Sequence, residues 1–267
     1  MHTSVNELFN ALWQDYLKMT PSALEIHELL GGGKAIINDH VAFRTFRHPK
    51  LGLEKLAAHF LALGYEQKGE YHFEAKKLYA RHYEHPLDAT APKVFISELL
   101  LEQCSPGLQR IVAGLIDQVD EGLPAQTGFL YSGAPWKVSY EDYKTLLEES
   151  EYAAWLAAYG FRANHFTVSV NELDGFDSLE AVNSALKNAG FRLNTAGGEI
   201  KGSPEVLLEQ SSTMADTAIV EFIDGKAELP SCFYEFALRY AQPDGKLYTG
   251  FVAASADKIF ESTNVNR

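Results

Sequence analysis

Apolar residues recur at Val5, Leu8, Phe9, Leu12, Trp13, Tyr16 and Leu17, a spacing of three and four that lines one face of a helix. Ser4 stands where an N-cap belongs, and Met19-Thr20-Pro21 breaks the pattern. A second short helix is expected from Ser22, opened by a Ser22-x-x-Glu25 capping box and closed by Gly31-Gly32-Gly33. The rhythm then changes. Asn38 to Phe46 is a run of apolar, β-branched and aromatic residues, which predicts a strand. A turn at His48-Pro49 follows, then a helix over 52–63 closed by Gly64, and strands within 71–83 and over Lys93 to Leu100. The block reads β, α, β, β, β.

A later block repeats it. His165 to Val170 predicts a strand, 178–189 a helix closed by Gly190, and Phe191-Arg192-Leu193 a new extended segment. Further strands are expected at 206–210, 218–223 and 233–238. The helix endings match: Leu61-Ala62-Leu63-Gly64-Tyr65 in the first block, Lys187-Asn188-Ala189-Gly190-Phe191 in the second. Two copies indicate a duplicated unit rather than a solenoid. The expected fold class is α+β, with two βαβββ modules pairing around one cavity. The expected layout is one compact domain: N-terminal helices over 1–37, modules over 38–103 and 163–240, a helical insertion over 104–162 between them, and a tail over 241–267.

Composition narrows the function. At 46% hydrophobic and 12% aromatic, the 267-residue chain has enough apolar side chains for a substantial core. A net charge of -13 argues against a nucleic-acid partner, which would favour a basic stripe. Two cysteines, Cys104 and Cys232, make neither a disulfide framework nor a zinc ribbon. The N-terminus lacks a signal-peptide pattern, and no apolar run approaches the roughly 20 residues a membrane span needs. A soluble, cytoplasmic protein is expected; oligomeric state is not legible.

His40 and His165 open equivalent strands of the two modules, so a pseudo-twofold axis would bring both imidazoles to the shared cavity. Glu235 sits within Phe233-Tyr234-Glu235-Phe236-Ala237-Leu238, where a buried carboxylate is costly unless paired or bound to metal. Two histidines and one carboxylate make a facial metal triad with open positions; a salt bridge to Arg239 is the plainer alternative for Glu235. Glu98, in the last strand of the first module, is a candidate fourth ligand or a group supporting the ligands. Arg44, four residues after His40, leaves the strand on the same face, suited to a substrate carboxylate or to a structural acid. His82 and His85, three apart, diverge on a strand and read with His72 as a solvated strand end. Tyr79, Arg81 and Tyr83 alternate along a strand and face either the cavity or solvent. Lys34 after the triple glycine lacks a Walker context, and no Gly-x-Ser-x-Gly elbow or dinucleotide fingerprint is present.

His40-Val41-Ala42-Phe43-Arg44, Phe95-Ile96-Ser97-Glu98-Leu99, Asn164-His165 and the segment from Gly250-Phe251 to Phe260-Glu261-Ser262-Thr263 together resemble the DUF1338 family. That family includes 2-oxoadipate dioxygenase/decarboxylases (hydroxyglutarate synthases) of the vicinal oxygen chelate superfamily. The resemblance covers nearly the whole chain. It implies a vicinal-oxygen-chelate-like open barrel with added helices, an Fe(II) site on His40, His165 and Glu235, and Arg44 as a catalytic, substrate-binding residue. It further implies a 2-oxo acid substrate, best matched by 2-oxoadipate, that reacts with O2 to give CO2 and 2-hydroxyglutarate, a step of lysine breakdown. Two other readings fit such a scaffold: a metal-dependent isomerase or lyase in which Glu98 completes a four-ligand site, and a non-catalytic small-molecule binder.

Overall fold

The computed structural model describes residues 1–264. Two helices open the chain, α1 (Val5–Met19) and α2 (Ser22–Gly31). Ser4 caps α1, its hydroxyl accepting from the Glu7 amide at 3.2 Å. The capping box expected at Ser22 does not form: Pro21 takes the N-cap position, and the Ser22 amide donates to Asp216 at 2.9 Å. Gly32 ends α2 at φ 54°, the left-handed C-cap that the triple glycine predicts.

The first module comprises β1 (Asn38–Phe46), α3 (Leu53–Leu61), β2 (Glu66–Phe73), β3 (Leu78–Glu84) and β4 (Lys93–Leu99). Three helices follow: α4 (Pro106–Asp117), α5 (Tyr140–Glu149) and α6 (Glu151–Tyr159). The second module comprises β5 (Ala163–Ser169), α7 (Leu179–Asn188), β6 (Lys201–Ser203) and β7 (Leu208–Ser212), then β8 (Thr217–Phe222), β9 (Gly225–Pro230) and β10 (Phe233–Arg239). Helix α8 (Ala253–Ile259) runs into a 3-10 turn over Phe260–Thr263. The last three residues of the expected tail lie outside the described residues.

Eight strands form one curled sheet in the order β2-β3-β4-β1-β5-β10-β7-β6. Outward from the β1–β5 seam, the halves read β1-β4-β3-β2 and β5-β10-β7-β6, so they are wired alike. In each half the seam strand runs parallel to its neighbour, and the next pairing is antiparallel. Across the antiparallel seam, His40 pairs with Thr167 and Ala42 with His165. Ala42 lies two residues after His40 and Thr167 two after His165, so the pairing is symmetric. This is the α+β, vicinal-oxygen-chelate-like pair of βαβββ units.

Membership of the second unit differs from expectation. Residues 218–223 do not join the sheet; β8 pairs with β9 in a separate hairpin, whose Phe222 packs on Tyr140 and Tyr143 of α5. The edge strand is instead Lys201–Ser203, and of Phe191-Arg192-Leu193 only Leu193 makes a β-bridge, to Thr213. Val206 closes a 3-10 turn and Leu207 takes φ 62°, so the strand expected from 206 begins at Leu208.

Strand parity decides what faces the cavity. Phe43 packs on Phe60 of α3, and the Thr45 hydroxyl donates to the Leu51 carbonyl, so this side of β1 meets helices. His40, Ala42 and Arg44 point to the other face. Helix α8 covers that face, touching β2, β6 and β7.

Candidate metal centre

The seam brings His40, His165 and Glu235 together. One potential ligand atom from each lies within 4.8 Å of the others, and all three side chains are buried. His165 Nε2 faces Glu235 Oε2 at 3.1 Å, and His40 Nε2 lies 3.5 Å from Glu235 Oε1. Cis ligands about 2.1 Å from one metal ion stand about 3.0 Å apart, so these spacings suit a facial site. Glu235 Oε2 is buried and forms no aligned hydrogen bond, which leaves a carboxylate lone pair inside the cluster. The residues fit a metal ion.

The residue before each histidine fixes its ring. Asp39 Oδ1 lies 2.8 Å from His40 Nδ1, and Asn164 Oδ1 lies 3.1 Å from His165 Nδ1. Each accepts the Nδ1 proton, so each Nε2 presents a lone pair to the cluster. The Thr167 hydroxyl lies 3.0 Å from His40 Nε2 and donates to that lone pair, a bond it would give up to an ion at the cluster. Arg239 clamps Asp39 from behind, with Nε 2.6 Å from Oδ2 and Nη2 2.8 Å from Oδ1. Burial would raise the Asp39 carboxyl, but Arg239, helped by His40 and Lys93, holds it well below its usual range. Glu235 behaves similarly: burial pushes it up, and the two histidines and the Gln210 amide bring it below its ordinary value. Burial lowers His165 more than Glu235 raises it. An ionised carboxylate beside a neutral imidazole is the state a metal ion requires.

The cluster opens onto a cavity of about 20 Å³ lined by Phe95, Gln210, Phe251, Ala256, Ile259 and Phe260. That is room for one water molecule. Phe251 stands edge-on to His40 at 4.8 Å, and the Arg239 guanidinium lies over its other neighbourhood at 5.2 Å from the ring centre. Phe260 also borders a second hollow of about 200 Å³, lined by Lys76, Lys77, Glu149, Glu151 and Tyr152. A hollow of about 580 Å³ around His48, Lys50 and Asp117 borders none of the three cluster residues.

Glu98 is not in the cluster. It faces the helices, accepting from Arg47 Nε at 2.8 Å and from the Leu53 amide at 3.0 Å, and so caps α3. By register Lys93 pairs with His40 as Phe233 pairs with His165, so Glu235 corresponds to Phe95. Arg44 shares the face of His40 but is enclosed: it donates to Thr263 Oγ1 at 3.1 Å and to Glu151 at 3.4 Å. Tyr152 and Trp155 flank its guanidinium at 5.1 and 4.9 Å, and its Nε has no hydrogen-bond partner among the described residues. His82 is buried, not solvated, between Tyr71 Oη and Glu84 at 2.9 Å each, because Phe251 of the tail covers it. Arg81 faces away from the cavity, reaching Glu54 of α3 and the Tyr79 hydroxyl.

Sequence reasoning gave no role to Asp39, Asn164, Thr167, Gln210 or Phe251, and it weighed Arg239 only as a salt-bridge partner of Glu235, whereas Arg239 pairs with Asp39. The signal for the first two was present: each directly precedes its histidine in the repeated stretches.

The sequence profile of the 2-oxoadipate dioxygenase/decarboxylase family matches residues 3–127 and 118–246. The chain belongs to this family. A rice relative, the chloroplastic/amyloplastic 2-oxoadipate dioxygenase/decarboxylase of Oryza sativa subsp. japonica, is 38% identical over 93% of the chain and 76% of its own length. The solved hydroxyglutarate synthase of Oryza sativa in complex with 2-oxoadipate superposes with a TM-score of 0.92 at 36% identity, covering 97% of this chain and 92% of that one. A protein from Shewanella frigidimarina NCIMB 400, named as a candidate hydrolase, has a TM-score of 0.92 at 62% identity, covering 95% and 100%. In this chain the duplicated sheet places the two histidines of the cluster on its seam strands and the carboxylate on one flank. No described helix is long and apolar enough to cross a membrane.

Proposed function

We propose that this chain is an Fe(II)-dependent dioxygenase/decarboxylase that converts 2-oxoadipate and O2 to 2-hydroxyglutarate and CO2. The observation that carries the reading is the convergence of His40, His165 and Glu235 at one buried point in a chain of this family. Atoms balance: the C1–C2 bond breaks and the C1 carboxylate leaves as CO2 with its own oxygens, one oxygen of O2 completes the new carboxylate at the former keto carbon, and the other enters the new hydroxyl. A cytoplasmic location and a place in lysine breakdown belong to the same reading.

Held by the three residues, iron would supply redox chemistry toward O2 and an electrophilic anchor for a 2-oxo acid. The remaining work falls to the protein. Asp39 and Asn164 keep the Nδ1 protons in place, so both Nε2 atoms stay available. Phe95, Phe251 and Phe260 exclude water from the cavity, strengthening every charge interaction inside it. Arg44 holds a substrate carboxylate, for which its unpartnered Nε offers a donor.

The four-ligand isomerase or lyase reading loses its fourth ligand, since Glu98 caps a helix on the opposite face. A hydrolase reading needs no O2, which makes oxygen the deciding reagent. The test is O2 uptake and CO2 release by iron-reconstituted, anaerobically handled protein given 2-oxoadipate and no cosubstrate. Near-equimolar loss and gain with 2-hydroxyglutarate as product supports the proposal. Silence with iron bound overturns it, and metal retained at wild-type affinity by His165→Ala overturns the ligand set.

A further inference from the structure

Gln210 lies on β7, only 2% exposed, and lines the cavity beside His40, His165 and Glu235. Its Nε2 donates to Glu235 Oε1 at 2.6 Å. Its own Oε1 is buried and has no hydrogen-bond partner among the described residues. An ionised carboxylate only accepts hydrogen bonds, so the amide nitrogen must face Glu235. The amide carbonyl is thereby committed to the other direction.

These facts give the two ends of one side chain different tasks. With Gln210 on Oε1, the carboxylate has its second oxygen, Oε2, directed at His165 and free of aligned hydrogen bonds. A metal ion would then meet a one-oxygen ligand and keep further positions open. A buried carbonyl with no donor costs about 1–3 kcal/mol, a cost that a bound donor removes. An ionised 2-oxo diacid carries no O–H or N–H donor. A 2-hydroxy acid does, as does a water molecule.

We infer that Gln210 is a positioning residue that holds Glu235 to single-oxygen ligation and offers the cavity's acceptor to a hydroxyl-bearing ligand, the 2-hydroxy acid product or the water it replaces. This rests on the metal-centre reading above and deepens it. The geometry of the three residues needs no change for it; only the amide contacts are used.

The test uses cobalt(II) as the probe, added to metal-free full-length protein without turnover. Gln210→Met keeps length and removes both polar ends; Gln210→Asn keeps the amide but falls short of Glu235, and serves if the methionine variant does not fold. Chelator competition should show cobalt bound 10–100-fold more weakly than by wild type, with a changed visible spectrum. On the cobalt protein, wild type should prefer 2-hydroxyglutarate over glutarate, which lacks the hydroxyl, and the variant should lose about tenfold of that preference. Unchanged cobalt affinity and spectrum, or an unchanged preference, overturns the assignment. Cobalt binding by wild type but equally by the variant sinks this inference alone; no binding by wild type sinks the metal-centre reading and this inference with it.

Discussion

Asp39 and His40 are neighbours in sequence and partners in space: the carboxylate accepts from the imidazole Nδ1 at 2.8 Å while Arg239 grips it from the other side. Arg239 also donates to the carbonyls of Tyr248 and Gly250 at 3.0 and 2.8 Å. One guanidinium therefore ties a histidine of the cluster to the segment that covers it. Asp39→Asn would leave that guanidinium buried and unpaired, costing roughly 3–5 kcal/mol. Urea unfolding of metal-free protein measures the loss, and a midpoint unmoved from wild type would contradict the account.

Phe260 is the wall between the cavity of about 20 Å³ and the hollow of about 200 Å³. Phe260→Ala should join the two and let a chelator strip the bound metal at least about tenfold faster, while costing about 3–5 kcal/mol of stability. Stripping kinetics by stopped flow decide it. An unchanged rate means that the barrier lies elsewhere.

Glu98 closes the N-terminus of α3 and pairs with Arg47. Glu98→Ala should therefore lower stability by about 1–2 kcal/mol and leave metal affinity as in wild type. Thermal unfolding and chelator competition give the two numbers. A variant that loses metal without losing stability would return Glu98 to the centre.

Glu149 accepts from the Ser105 amide and from Lys77, each at 2.9 Å, joining the end of α5 to the start of α4. The Ser105 bonds first, then Lys77, hold its carboxyl down at about 2, against an ordinary 4.5. A depressed folded-state value gives stability that is complete above the unfolded value and fades as the carboxyl protonates. Wild type should exceed Glu149→Gln by no more than about 1 kcal/mol near neutrality. The gap should narrow below about pH 4.5 and close near pH 2, as read by unfolding at stepped pH. A gap that widened with acid would refute it.

How much was legible depended on the range of the cause. The two histidines could be read because the repeat placed each at the head of a strand, and Glu235 because a carboxylate interrupts an apolar run. The out-of-sheet position of β8 could not. Ala218-Ile219-Val220-Glu221-Phe222 alternates like any strand, yet Ile219 is 72% exposed, and only the missing partner on the main sheet tells the two cases apart. Lys201-Gly202-Ser203 has poor strand composition and is made a strand by β7. Arg44 was placed on the right face, but its enclosure comes from Glu151 and Thr263, 107 and 219 residues away. Gln210 carries no local signal; its partner is chosen by the register of β7 on β10.

Phe95 and Glu235 occupy equivalent places in the two halves of the sheet. Two fully equivalent halves, each bearing one histidine and one carboxylate, would set four ligands around a pseudo-twofold axis. Here one half presents a carboxylate and the other a benzene ring at the corresponding place. The likeness of the two halves is interrupted at this place, with an oxygen donor on β10 and an apolar ring on β4. An aromatic ring offers an ion no oxygen, so a metal held at this cluster would meet a protein carboxylate from one half of the sheet alone and keep its remaining positions for other ligands.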